Sequence, residues 1–489
     1  MSSDSPAEPQ PAPDPSLAPQ VEKLYDAALA EVIDAVLAKL IDGGRPSAER
    51  EPVVSVRENG LPTIRDAAQF GAGNGCLDYL TLLDPPYNDA EAQKLGRFPP
   101  DRFPALLALQ NYMSENPQAS FAYSGRVGSD LDRFHVRWQM ENIANDHFRR
   151  FGISGSSPQT RAVTLRPYLR GLFQPKLPIV LAAPIAFLRF DFDRLRIGPD
   201  AYIIRMSEAL QRARWSVKAY GATGHQEVLA AATHAVVFTG WEIGNRRHLE
   251  LLQSLGPHPD AARLLAERFF AALRLETGVE TGYAQELAIT RGWRTFLRSP
   301  GPETFAGAAK RYPESFDDFG WIRETVPVIS RTQTAAVAKT MGRLEEVTDQ
   351  RLLLAMRRFN SATIRHDPAD AVLDTTIALE ILLGDGDNQA ISWKLKMRAA
   401  ALAGIEGTSD AVRTMHADVD RLYALRSSIV HGSVRRKAAK TVADPLEGRQ
   451  LGFDILRRVL SKLIAAPRFL DPSVIDRDLL LAPASPIPE

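Results

Sequence analysis

The sequence predicts a multidomain protein in which an N-terminal α+β region precedes a C-terminal all-helical bundle. Three observations predict it. The chain has 489 residues, 45% hydrophobic and 24% charged, which is ample for several buried cores. Between residues 126 and 340, β-branched and aromatic runs alternate with stretches of helical spacing. From about residue 341, helical segments follow one another with only short breaks, as the helices of an antiparallel bundle do.

Residues 1–19 are acidic and proline-rich, have little to bury, and are expected to be disordered. They carry neither the basic start nor the apolar stretch of a signal peptide. Residues 20–125 read as a helical and irregular N-terminal region. It opens on VEKLYDAALAEVIDAVLAKLI, an amphipathic helix over 20–41 stopped by Gly43 and Gly44, and it has a helical stretch at 102–113. Over 126–340, VLAAPIAFLRFDF, YIIRM and HAVVFTGWEI read as strands. SEALQRARW, with its serine start signal, and AARLLAERFFAALRL read as helices, and TGYAQELAITRGW as extended. A sensing or regulatory role is expected for this part. Five helical segments, roughly 345–365, 368–384, 389–404, 408–431 and 446–466, make up a bundle over 341–467. Residues 468–489 read as a C-terminal tail.

Lysine plus arginine and aspartate plus glutamate both number 59, so the net charge is zero and any basic patch must be local. The single cysteine, Cys76, excludes a disulfide within the chain and a cysteine-based zinc site. The longest apolar run, 177–188, holds two prolines and is too short to span a bilayer. No membrane and a cytoplasmic location are therefore expected. GAGNG at 71–75 lacks the spacing of a dinucleotide loop and reads as a turn, and no P-loop, HExxH or GxSxG string is present.

The helix near 408–431 carries a stripe of Val412, Met415, Val419, Leu422 and Ile429 that should face the core. Arg426 fills the one gap in it. A guanidinium placed there needs a protein surface, an acidic partner or a ligand. In the helix near 368–384, Leu373 and Ile377 begin a stripe that continues to Glu380, with Asp374 close to the same face. One reading is therefore an internal Arg426–Glu380 ion pair between packed helices. His431 ends the 408–431 helix, ahead of Gly432, and the helix dipole favours its protonated form there. That suits a group exchanging protons near neutral pH. Positions five apart on a helix differ by roughly 140° and about 7.5 Å, so one helix alone does not bring Arg426 and His431 together. Residues 391–440 hold ten Lys or Arg against four acids, whereas 367–387 hold six acids and no Lys or Arg. A phosphate-binding groove has this uneven charge; a solvated polar surface is the alternative.

The string LYALRSSIVHG (422–432) resembles the signature of the HEPN superfamily, in its Apea-like branch. IALEILLG (377–384) and KLKMRAAALAG (394–404) resemble that branch too, in the same order, and the likeness covers about 340–466. A looser likeness extends upstream to PIAFLRFDF and YIIRMSEA. The resemblance implies a bundle of four or five helices that forms a homodimer through its motif helices, with RNA as substrate or ligand. It implies that Arg426 and His431 are catalytic, cleaving RNA by 2′-hydroxyl attack on the adjacent phosphate with neither metal nor cofactor. His431 would act as general acid or base and Arg426 would stabilise the phosphate charge. Ser427, Glu380, Asp374 and Tyr423 are candidate supporting residues, and Arg435, Arg436 and Lys437 candidate RNA contacts. Many active members have Asn, Asp or His where this chain has Ser427. Two functions follow: an RNA endonuclease, as a toxin or antiviral defence effector answering to a regulatory or trigger protein, and a non-catalytic module that dimerises and binds RNA, nucleotide or protein.

Overall fold

The computed structural model describes residues 14–49, 51–66, 77–116, 118–119, 130–217, 226–246, 248–255, 258–295, 301–386, 389–405, 407–431 and 445–481. The stretch expected to be disordered lies mostly outside them, as do the GAGNG segment and Cys76.

Helix α1 (Ala18–Ile41) buries Val21, Tyr25, Leu29, Val32 and Val36 along one face, the spacing of three and four that makes a helix amphipathic. Two small antiparallel ribbons follow, β1 (Ser47–Ala48) with a later strand and β2 (Val53–Val56) with β3 (Pro62–Arg65). The partner of β1 is β4 (Leu77–Asp78). Then come α2 (Ala90–Leu95), α3 (Pro104–Glu115), α4 (Asp130–Phe151) and α5 (Pro158–Phe173). One core joins α1, α3, α4 and α5 through residues such as Leu29, Leu109, Ile143 and Leu165.

Residues 130–173, expected within the α+β part, are thus two helices that pack with α1. Their inward faces explain the difference. In α4, Gln139, Asn142 and His147 are buried beside Met140 and Ile143, so polar residues interrupt the apolar period. Two of them are held by neighbouring helices: the Tyr25 hydroxyl donates to Gln139, and His147 Nδ1 meets Thr164 Oγ1 at 3.1 Å. In α5, Pro167 reads as a breaker, yet the helix runs through it behind a capping box of Ser157 and Thr160.

The α+β part follows with β5 (Lys176–Ile185), β6 (Arg189–Phe190), β7 (Arg194–Arg196), β8 (Ala201–Arg205), α6 (Glu208–Ser216), α7 (Gln226–Ala230), β9 (His234–Gly244), α8 (His248–Leu255) and α9 (Asp260–Thr277). It ends with β10 (Tyr283–Thr290), β11 (Thr304–Arg311) and β12 (Val328–Ile329). Six strands form one antiparallel sheet in the order β11-β10-β5-β9-β8-β7, and β12 pairs parallel with β6. The runs expected to be extended are β5, β8, β9 and β10, the middle of this sheet. Ser207 caps α6 by accepting from Leu210 N at 3.2 Å, and α9 ends at Gly278 in the left-handed conformation, φ +69°.

From α10 onward the chain is predominantly helical: α10 (Arg331–Glu345), α11 (Gln350–Ile364), α12 (Pro368–Leu383), α13 (Ile391–Ala403), α14 (Ser409–His431) and α15 (Pro445–Ala465). Side chains of Ser330, Asp349 and Asp367 cap the starts of α10, α11 and α12. Helix α10 begins before the expected start at 341. From Pro467 to Leu480, mostly within the 468–489 stretch expected as tail, short helical turns bury Phe469 and Ile475. A single core runs from the sheet through α9, α10 and α11 into α12–α15, by way of Phe238, Phe270, Met341, Phe359, Leu379 and Leu422. Among the described residues no helix is long and apolar enough to cross a membrane.

Candidate functional site

Three helices position the candidate site. Helix α14 buries Met415, Val419, Leu422 and Leu425. The expected stripe ran from Leu422 to Arg426, but the buried face turns to Leu425, and Val412 and Ile429 are only half-buried. A straight helix drifts by about 20° per heptad against alternating steps of three and four, which carries Arg426 to the edge of the stripe. Its side chain is 28% exposed.

Helix α12 buries Ala371, Val372, Thr375, Ala378, Leu379 and Leu382, leaving Leu373, Ile377 and Glu380 half-buried on its flank. Two glycines on α15, one helical turn apart, let that helix lie close against α14 and α12. A Cβ at Gly448 would stand 2.1 Å from Leu425 Cδ2, and one at Gly452 would stand 2.5 Å from Thr375 Oγ1. A helix-interior glycine costs about 0.5–1 kcal/mol against alanine, so its value here is the close approach. The end of α12 is held from α11: Arg351 donates to the carbonyls of Ile381, Leu382 and Gly384, groups a helix terminus leaves unpaired.

In this frame Arg426 Nη2 lies 3.5 Å from Glu380 Oε1, and its Cζ stands 5.4 Å from the centre of the Tyr423 ring. Arg426 Nε is buried without a hydrogen-bond partner. Burial, then the charge of Glu380, holds the Tyr423 phenol above its ordinary pKa of 10, so it stays a neutral proton donor. Ser427 is half-buried in the next position. Glu380, Tyr423 and Arg426 therefore form one cluster spanning α12 and α14, and the guanidinium keeps donors that Glu380 does not occupy.

Asp374 does not join them. It is 3% exposed, and its two oxygens accept from Arg358 Nη1 at 2.6 Å and Arg365 Nε at 2.8 Å. Named as a candidate supporting residue, it fastens α12 to α11 and to the loop between them. His431 is the last residue of α14, so its backbone lies five positions beyond Arg426 at the helix end. Gly432 and the candidate RNA contacts Arg435, Arg436 and Lys437 lie outside the described residues.

A half-exposed guanidinium with spare donors can bind a phosphate or carboxylate. Among the described residues no group of three His, Cys, Asp or Glu side chains could hold a metal ion. The sequence reading missed a second arginine group. Arg274, Arg311 and Arg357 come from α9, β11 and α11 and line one cavity. Positions so far apart in the chain leave no local spacing to read. No family model matches the chain, and no curated protein or solved structure matches it.

Proposed function

We propose that the protein is an RNA endonuclease of the HEPN type, a toxin or defence effector, working as a homodimer through α12 and α14. The observation that carries this reading is Arg426: a guanidinium on the exposed edge of α14, steadied by Glu380 and Tyr423, one and a half turns before that helix ends at His431. Arg426 binds the phosphate oxygens. His431 takes the proton from the RNA 2′-hydroxyl as that oxygen attacks the adjacent phosphorus, and the 5′-oxygen leaves with a proton from a second acid. The products are a 2′,3′-cyclic phosphate and a 5′-hydroxyl. Half-buried Leu373 and Ile377 and the 51% exposed Val430 support pairing at this face. A second copy brings the second acid.

The experiment incubates wild type and His431→Ala with total RNA and tRNA in EDTA and maps the ends. Cleavage by wild type alone, leaving cyclic phosphate, supports the reading. Equal cleavage by both proteins removes His431 from it.

The Arg426–Glu380 pair favours a second reading, a non-catalytic HEPN module that dimerises and holds RNA, nucleotide or protein, with Arg426 serving the packing of α12 on α14. Under it, Arg426→Ala loses stability while His431→Ala leaves folding and binding unchanged.

A further inference from the structure

Between α9, α11 and the strand pair β10–β11 lies a cavity of about 180 Å³ lined by Phe270, Arg274, Tyr283, Arg311, Arg357 and Asn360. Beside it is a more apolar one of about 320 Å³, which shares Glu267, Arg357 and Asn360 with the first. Leu264, Leu344, Leu353 and Met356 line that slot. Together they reach the roughly 300–1,000 Å³ of small-molecule sites, and they join a charged end to an apolar one.

Arg274 is the unusual member. It is 3% exposed. Its Nη1 donates to Asn360 Oδ1 at 2.7 Å and its Nη2 to the Thr281 carbonyl at 2.6 Å, while its Nε is buried with no partner. Burial lowers its pKa to about 10, which leaves it charged at neutral pH. Among the described residues it has no ion pair; Glu280, whose charge reaches it, is bound by Arg449 at 3.0 Å. The charge of Glu267 also reaches it, but its hydrogen bonds go only to neutral acceptors, and a buried cation so held is costly unless an anion compensates it. Arg311 and Arg357 are exposed at the same cavity, again with no ion pair among the described residues. Arg268, lining the apolar slot, also has a buried Nε without a partner, and among the described residues Glu267 is the one carboxylate lining either cavity.

We propose that these joined cavities bind a small organic anion, its phosphate or carboxylate head on Arg274, Arg311 and Arg357 and its apolar or aromatic body against Leu264, Leu344, Leu353 and Met356. Planar guanidinium forks suit both head groups. A nucleoside monophosphate and a medium-chain fatty acid are the two sources of such an anion. The site is remote from the Arg426 cluster in composition and does not rest on RNA cleavage.

The test is calorimetric titration of the full chain with AMP, GMP, decanoate and inorganic phosphate. Saturable binding of at least one organic anion, ten-fold or more tighter than inorganic phosphate, is expected; whether nucleotide or decanoate binds identifies the source. Arg311→Ala and Arg357→Ala alter exposed residues and keep the fold, which circular dichroism checks. Each is expected to weaken binding about 10-fold or more, the worth of a charge-assisted hydrogen bond. Leu264→Ala is expected to weaken the organic anion and leave inorganic phosphate unaffected. Absence of saturable binding by every organic anion overturns the proposal. So does phosphate binding as tightly as they do, or unchanged affinity in both arginine variants.

Discussion

Arg426 and Glu380 face each other across α14 and α12 at 3.5 Å, with 28% and 26% of their side chains exposed. A pair of that length and exposure stabilises a protein by about 0–1 kcal/mol. Glu380→Gln is therefore expected to change the unfolding free energy by less than about 1 kcal/mol in a urea titration. Under the proposed function it also releases a guanidinium for phosphate, so RNA affinity is then expected to rise severalfold in Glu380→Gln and fall in Arg426→Ala. A loss above about 3 kcal/mol in Glu380→Gln would mark the pair as a buried structural bridge, and unchanged RNA affinity in Arg426→Ala would remove Arg426 from the proposed RNA site.

Asp374 behaves in the opposite way. Both of its oxygens are taken by arginines while the carboxylate itself is buried. Asp374→Ala removes the anchor of Arg358 and Arg365, two side chains exposed enough to be re-solvated. That limits the cost to about 1–3 kcal/mol, the value of charged hydrogen bonds lost. The measurement is the same urea titration, with Glu380→Gln alongside. If Asp374→Ala proves no more destabilising than Glu380→Gln, its assignment as a fastening for α12 is wrong.

Close approach of α15 gives a steric prediction. At Gly452 an added methyl meets Thr375 Oγ1 and, at 3.2 Å, Thr375 Cβ, a short β-branched side chain with little room to turn. Gly452→Ala is expected to cost about 1–3 kcal/mol by overpacking, outweighing the roughly 1 kcal/mol that alanine gains in a helix. Gly448→Ala meets the far end of Leu425, which can rotate, and should cost less. Thermal melting ranks the two; a Gly452→Ala protein as stable as wild type would mean that α15 is not pinned by this contact.

What was legible in the sequence follows from locality. Helices α1, α9 and α11–α15 carry apolar periods within their own residues, so their existence can be read; Asp349 and Asp367 mark the starts of α11 and α12, and Gly278 the end of α9. The strands β5, β8 and β9 announce themselves through β-branched and aromatic runs. Helix α4 does not, because Gln139, Asn142 and His147 sit on its buried face, and Gln139 and His147 find partners on α1 and α5 that only the fold supplies. The Arg426–Glu380 pair could be anticipated, since a charge at a core position must be answered. The partners of Asp374 could not: Arg358 and Arg365 are ordinary polar positions until α11 folds back on α12. The arginine-lined cavity is less legible still, because its walls come from four elements, α9, β10, β11 and α11.

Two buried groups titrate in opposite senses, and this gives the last prediction. Glu303 is buried, its carboxylate accepts from Thr295 N at 2.7 Å, and burial raises its pKa from 4.5 to about 7. The fold keeps a proton that the unfolded chain gives up above about 4.5. Its contribution is present below that pH and falls as pH rises to about 7, by about 3 kcal/mol in all. His234 is fully buried, and burial lowers its pKa from 6.5 to about 4. Its Nε2 faces the Phe192 carbonyl at 2.8 Å and so bears the proton, and its Nδ1 accepts from the Thr233 hydroxyl at 2.8 Å. Here the unfolded chain takes up a proton first, so stability is present above about 6.5 and falls as pH drops towards 4. Between pH 4.5 and 6.5 the two slopes largely cancel. Glu303→Gln removes one of them: it should exceed wild type in stability at pH 8 and then lose stability only on acidification. Urea unfolding at pH 5, 6, 7 and 8 reads both effects. A Glu303→Gln protein with wild-type stability at pH 8 would show that the carboxylate is ionised at no cost in the fold.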